Sequence, residues 1–365
     1  MRLSCRPLAA GSENCYHLFM LQVVYFPAWL TPEIFPGFPL RWYGLMYIAA
    51  FAVSFVLYRR QVKERNFPIS DDDLSGMFFA AILGLLLGAR IFSTIIYDTS
   101  GIYRSAPWLV FWPFRGGAFT GLQGMSYHGG VFACFLAIFL YSKRKGFNFR
   151  EVCDMFAASA PLGFTFGRLG NFANAELYGR VTGSSFGMIF PNAAQLPTSE
   201  GWVQEMAQAA GIAITGPWVN LPRHPSQLYQ AFFEGLVLWA IIWFFRNRKP
   251  FKGFLVGLYF AGYGFFRFFV EYFRQPDANL GFRLELGAVR GLPVSYAHPF
   301  LSFTTGQILS FLMIVFAGVW LFVTSRLPDS RPVVRVYTGE EDDKPDYSET
   351  PAQRNKRRKM RKKLK

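Results

Sequence analysis

Tyr263, Arg267, Glu271 and Arg274 stand at i, i+4, i+8 and i+11. A helix through them would present all four on one stripe. An arginine fork beside a carboxylate suits planar, bidentate recognition of a phosphate, which lysine does not copy. The blander reading of Arg267 and Glu271 is an ion pair that only holds helices together. A second group falls within the run Gly167-Arg168-Leu169-Gly170-Asn171-Phe172-Ala173-Asn174-Ala175-Glu176. Arg168 and Asn171 are three apart and can share one ligand, and Gly167 and Gly170 permit close backbone approach. His128, followed by two glycines, is either a proton-transfer group, since histidine titrates near neutrality, or a ring bonded to a backbone carbonyl. The four histidines show no i, i+4 pair, and the four cysteines show no ligand spacing. No metal or cofactor is therefore expected, and no GxxxxGK[ST] run suggests ATP drive.

The elements that must position these residues are apolar. Of 365 residues, 52% are hydrophobic, 19% aromatic and 17% charged, against about 25% charged in soluble domains. That excludes a disordered chain, a disulfide scaffold with only four Cys and a soluble nucleic-acid binder. About 20 apolar residues cross a hydrocarbon core of ~30 Å. Stretches of that kind cover 41–59, 74–97, 126–142, 152–170, 228–246, 253–273 and 304–325. The expected fold is an all-α integral membrane protein with seven transmembrane helices. Pro161 and Gly163 should kink the fourth and open a cavity beside it. The short run 108–114, broken by Pro113, is expected at the interface. No internal repeat supports a two-halved transporter.

Lys and Arg before, between and after these stretches number two, four, two, four, two, four, three and thirteen. The positive-inside bias places the N-terminus outside and the C-terminus in the cytoplasm. Residues 1–40 then form an outer arm, 41–325 the membrane domain and 326–365 a basic cytoplasmic tail. Residues 1–19 form no convincing signal peptide, and Met20 is an alternative start. The tail is expected to be disordered and to rest on anionic lipid headgroups. With this topology Tyr43, Arg90, His128, Arg168, Tyr263, Arg267, Glu271 and Arg274 all fall toward the outer leaflet. Arg267, 14 residues past Gly253, is about 21 Å along the helix and still within the membrane. Ionisable groups there are functional candidates by default, and the anion most available at that depth is a lipid phosphate.

Five segments, in order, resemble the bacterial prolipoprotein diacylglyceryl transferase family. They are Arg41-Trp42-Tyr43-Gly44-Leu45-Met46-Tyr47; Ser126-Tyr127-His128-Gly129-Gly130; Gly167-Arg168-Leu169-Gly170-Asn171-Phe172 with Asn174, Glu176 and Gly179; Arg223-His224-Pro225-Ser226-Gln227-Leu228-Tyr229; and Gly262-Tyr263-Gly264 through Arg267, Glu271 and Phe273-Arg274-Gln275-Pro276-Asp277. The resemblance spans about residues 20–325. It implies a seven-span enzyme of the bacterial inner membrane that takes the sn-1,2-diacylglyceryl group of phosphatidylglycerol to the thiol of a prolipoprotein's lipobox Cys, forming a thioether and releasing glycerol phosphate. It also implies roles for Tyr43, His128, Arg168, Asn171, Glu176, Gly179, Arg267 and Glu271, with Arg168 on the lipid headgroup. Residues 1–19 and the tail after Leu327 depart from the family pattern.

The chemistry agrees with the residues. The thiolate is the nucleophile, and Arg168 and Arg267 would stabilise charge on the departing phosphate. His128 is a candidate base or a lipid-positioning group. Asn174, Arg90, Tyr263 and Arg274 complete the expected lipid-binding set. A membrane-tethered signal peptide as substrate calls for a lateral opening between spans. The rival class is a membrane carrier of anionic solutes, which should line both halves of its path with polar groups. A retinal photoreceptor would need a Lys in 304–325, which has none.

Overall fold

The computed structural model describes residues 23–35, 37, 40–96, 98, 101–115, 117–119, 124–275, 282–284 and 300–328. Residues 1–19 and most of the basic tail, with Cys5, Cys15, His17, His298, Pro276 and Asp277, lie outside the described residues.

Helix α1 (Trp42–Glu64) runs past the apolar stretch because its polar end is paired: Arg60 meets Glu64 at 2.8 Å, one turn apart. Helix α2 (Asp71–Ile96) starts on Asp71, Asp72 and Asp73, which suit the positive end of the helix dipole, and the Ser70 hydroxyl accepts from the Asp73 amide. Helix α3 (Tyr127–Lys145) is capped by Ser126 and ends on three basic residues before Gly146, whose φ is 70°. The expected fourth span is two helices, α4 (Phe149–Ala157) and α5 (Ala160–Ala173). The break falls at 158–159, just ahead of Pro161, which lacks the N–H to continue the helix. Gln61 of α1 seals the gap by donating to the Met155 carbonyl at 3.0 Å and to Ser159 Oγ at 2.9 Å. Gly163 opens no cavity. A Cβ there would lie 2.6 Å from Ser54 Oγ and 2.9 Å from the Ala50 carbonyl, so the glycine is consumed by close approach to α1.

Residues 175–224 form a small head. Val24–Tyr25 pairs in parallel with Met188–Ile189, and Leu196–Pro197 pairs antiparallel with Trp218–Val219, beside helix α6 (Gly201–Ala209). Val203, Ala207 and Leu221 fill one side of the head and Phe26 and Phe190 the other. Helix α7 (Ser226–Phe245) follows. It is α-helical over Ser226–Gln230, widens to a π-helix over Ala231–Val237 and closes as α-helix over Leu238–Phe245. Helix α8 (Phe254–Val270) and helix α9 (Thr305–Ser325) are the last of the described helices. The latter starts in a capping box between Thr304 and Gln307.

Each of the seven apolar stretches therefore coincides with helix. Among the described residues, four helices (α1, α2, α7 and α9) are long and apolar enough to cross a membrane, and α8 is a shorter apolar helix. The protein is a mostly helical, multi-pass membrane protein. Helix α2 lies tightly along α3: a Cβ on Gly129 would sit 2.1 Å from that of Phe92. Helices α1, α5, α7, α8 and α9 pack on one another. Tyr58, Met77, Phe78 and Met155 join the two groups in one buried core. Phe79, Phe132, Phe311 and Phe322 point outward as exposed rings, which lipid rather than water accommodates. The 108–114 run carries exposed Trp108, Phe111, Trp112 and Phe114.

Candidate active site

The site gathers where α5, α7 and α8 end or widen. On α8, Arg267 Nη2 lies 2.7 Å from Glu271 Oε2, one turn on. Arg274 Nη1 lies 3.7 Å from Glu271 Oε1, to which the Thr304 hydroxyl donates at 3.2 Å. Gly306 faces the same carboxylate. A Cβ there would fall 2.8 Å from Glu271 Oε1, so only glycine leaves the group in place. The helical stripe read from the sequence is thus formed, with Glu271 as its hub.

From α5 comes the second expected group. Arg168 Nη1 donates to Asn171 Oδ1 at 3.4 Å, Asn171 Nδ2 to Glu176 Oε1 at 2.8 Å, and Asn174 Nδ2 to the same oxygen at 3.4 Å. Glu176 stands between Ala175 (φ 52°) and Leu177 (φ 56°), left-handed conformations that cost non-glycine residues energy. Gln227 and Ser226 hold that bend by donating to the carbonyls of Glu176 and Leu177 at 2.6 and 3.0 Å. Arg168 also stacks over Phe164, 4.7 Å from its ring, and Phe164 meets the ring of Tyr263 edge-on at 5.9 Å. Tyr43 of α1 bonds Tyr47 at 3.0 Å and feels the charges of Glu176 and Arg168. The two glycines of the run divide their roles. Gly170 packs on Tyr43 and Met46, whereas a Cβ at Gly167 would meet nothing within 4 Å, so Gly167 serves no close approach and leaves space beside Arg168.

Gly179 ties the head to this site. Its amide donates to the His224 carbonyl at 2.8 Å, and the Arg180 amide donates to the Phe273 carbonyl at 2.9 Å. A Cβ on Gly179 would lie 2.2 Å from that Phe273 oxygen. Burial lowers the Arg180 guanidinium to about 10, while Glu271 opposes the shift. Burial first, and then Arg180, lowers His224 to about 4, so its ring is neutral near pH 7. Among the described residues no three His, Cys, Asp or Glu side chains are placed to hold a metal ion.

Three site residues escaped the sequence reading. Glu234, 1% exposed on the π-helical turn, lies 3.8 Å from Arg267 Nη1. It feels Arg267, Arg168, Glu271 and Arg274. Its signal was available, since an acid inside the apolar stretch 228–246 is itself a functional flag. Arg180 and Gly306 carried no local signal. Arg90 and His128 sit on the α2–α3 pair. Arg90 is buried and donates to the carbonyls of Val110, of Leu109 at 3.2 Å and of Gly124 at 3.2 Å. His128 is exposed in the first turn of α3.

Residues 31–324 match the family model described as prolipoprotein diacylglyceryl transferase. The chain is 52% identical over 319 residues to the phosphatidylglycerol–prolipoprotein diacylglyceryl transferase of Treponema denticola, covering 81% of this chain and 93% of that protein. It is 49% identical over 312 residues to that of Treponema pallidum, with 81% and 93% covered. Against that of Borrelia garinii it is 41% identical over 323 residues, with 86% and 97% covered.

Proposed function

The chain belongs to the prolipoprotein diacylglyceryl transferase family, and from that premise we propose that it transfers the sn-1,2-diacylglyceryl group of phosphatidylglycerol to the lipobox cysteine of prolipoproteins. The observation that carries the reading is the charge of the site. Among the described residues, Arg168, Arg180, Arg267 and Arg274 gather with Glu176, Glu234 and Glu271, four guanidinium groups to three carboxylates. A phosphodiester carries one negative charge and neutralises that excess in a low-dielectric setting, where such pairing is strongest.

The cysteine sulfur attacks the glyceryl carbon that bears the phosphate. The S–C bond forms, the C–O bond breaks, and the electron pair leaves on the phosphate oxygen of glycerol phosphate. Arg168 and Arg267 stabilise that growing charge, with Glu271, Asn171 and Glu176 holding their forks. Asn174, Tyr43, Tyr263 and Arg274 border the headgroup, and Gly179 fixes the head over it. Arg90 holds the carbonyls of Leu109, Val110 and Gly124, and His128 positions the lipid from the α2–α3 side. The substrate brings its own nucleophile, so no covalent enzyme intermediate is needed. In this reading seven helices span the plasma membrane, the N-terminus and the site lie on the outer side, and the tail meets anionic lipid in the cytoplasm. Support comes from the alternating basic loops and from the gathering of the polar groups toward one end of the helices.

The test is direct. Purified protein incubated with labelled phosphatidylglycerol and a lipobox peptide should add one diacylglyceryl mass to the peptide. No gain with the wild type, or an undiminished gain with Arg168→Ala, overturns the assignment.

A further inference from the structure

Of the three carboxylates described at the site, two accept side-chain hydrogen bonds. Glu176 accepts from Asn171 and Asn174. Glu271 is pinned by Arg267, Arg274 and the Thr304 hydroxyl. Glu234 differs: both oxygens are buried with no hydrogen-bond donor, and the 3.8 Å to Arg267 is too long for a hydrogen bond. Such a group is costly to keep, yet the fold works to hold it there. Gly235 presses so closely on α5 that a Cβ would fall 2.1 Å from Thr165 Oγ1, and Thr165 donates to the Ala231 carbonyl at 3.2 Å. The π-turn that presents Glu234 is therefore clamped by the helix that carries Arg168. Wide turns of this kind recur at functional positions. One turn earlier on α7, both polar atoms of the Gln230 side chain are also buried without a partner.

We propose that Glu234 accepts the proton of the substrate thiol through one water held with Gln230. The inference rests on the transfer reaction proposed above. The charged groups acting on Glu234 are Arg168 from α5, Arg267 and Glu271 from α8 and its cap, and Arg274 beyond them. The charge balance favours this acceptor. Counted over the four arginines and three glutamates named above, the site is +1 before reaction, the phosphodiester −1 and the thiol neutral. Afterwards the departing monoester is −2, and a protonated Glu234 raises the site to +2. Neutrality is kept throughout, whereas a proton lost to distant solvent would leave a net negative charge in the low-dielectric site. The S–H bond breaks, the S–C bond forms, the C–O bond breaks toward phosphate, and the proton rests on the Glu234 carboxylate until the product leaves.

The experiment compares a cysteine lipobox peptide with its selenocysteine counterpart, whose selenol is already ionised at neutral pH. With the cysteine peptide Glu234→Gln should lower kcat roughly 10²–10³-fold, as loss of a general base does. The KM for phosphatidylglycerol should stay within about threefold of wild type. Its residual rate should climb about tenfold per pH unit, following thiolate formation, where the wild type is flat. With the selenocysteine peptide the deficit should shrink at least tenfold. Glu234→Gln within threefold of wild type on cysteine, or equally impaired on both peptides, overturns the proposal. If that variant does not fold, Gln230→Met decides by the same comparison: a deficit on cysteine that selenocysteine relieves supports the relay, and an equal deficit or none overturns it. A wild type inactive on both peptides would instead sink the transferase reading itself.

Discussion

Two buried ionic clusters sit at opposite ends of α8, and they are built to opposite specifications. At the first end Asp154, fully buried, accepts from Lys249 Nζ at 2.9 Å, from the Gly253 amide at 2.9 Å and from the Val256 amide at 3.2 Å. Glu151 shares the same lysine. Asp154 thereby caps the start of α8 and joins α4 to it. At the second end Glu271 is held by Arg267, Arg274 and Thr304, but Glu234 has no hydrogen-bond donor, and among the described residues four arginines meet three glutamates. A carboxylate saturated with donors locks helices in register. An unbalanced cluster retains its affinity for an outside anion, and buried charge alone does not tell the two apart.

The comparison breaks most sharply through the arginines. Arg267→Ala should lower kcat/KM by roughly 10³-fold, the upper end for removing one charge-stabilising donor, and Arg267→Lys should not restore it. Diacylglyceryl transfer to the peptide reads both. Asp154→Ala should do the reverse. Taking one of Lys249's two carboxylates and leaving the Gly253 and Val256 amides without an acceptor should cost about 3–5 kcal/mol of stability, measured by unfolding in detergent, while the folded fraction keeps its specific activity. Loss of activity there in folded protein would erase the distinction. Gly306→Ala, which drives a methyl into the Glu271 carboxylate, should cost about 1–3 kcal/mol, as overpacking does. Because that cost falls on the hub, transfer should drop by at least tenfold.

The smallest effect is a pH response. An unfolded chain takes up a proton on His224 near 6.5, and the folded one resists until about 4. Stability from the neutral ring is complete above 6.5 and drains as pH falls toward 4. The ring is partly exposed, which screens the effect. The melting temperature of the wild type should fall over that window by roughly 2–4 °C more than that of His224→Asn. Equal slopes would remove His224 from the account.

Much of this was legible in the chain. The Arg267–Glu271–Arg274 stripe and the Arg168–Asn171 step formed as their spacing required, because neighbours three and four apart on a helix meet, whereas Glu176, five past Asn171, is brought back to it only by the left-handed bend at Ala175 and Leu177. The helix break was signalled by Pro161, though its place was not. Gly163 and Gly167 were read backwards. A glycine's purpose depends on what stands opposite, and here α1 faces the first and open space the second. The head over residues 175–224 left no periodic trace, since two-residue strands are too short to show one.

Alone, then, the sequence determined where the apolar helices lie, how the basic loops alternate and which arginines are stranded among apolar residues. Those are local properties of hydropathy, charge and helical period. Only the tertiary structure decided that Glu234 joins Arg267, that Gly306 must yield to Glu271, that Gly179 must yield to Phe273, and that Asp154 is satisfied where Glu234 is not. Each of those depends on how closely two distant segments approach, and that distance is set by packing.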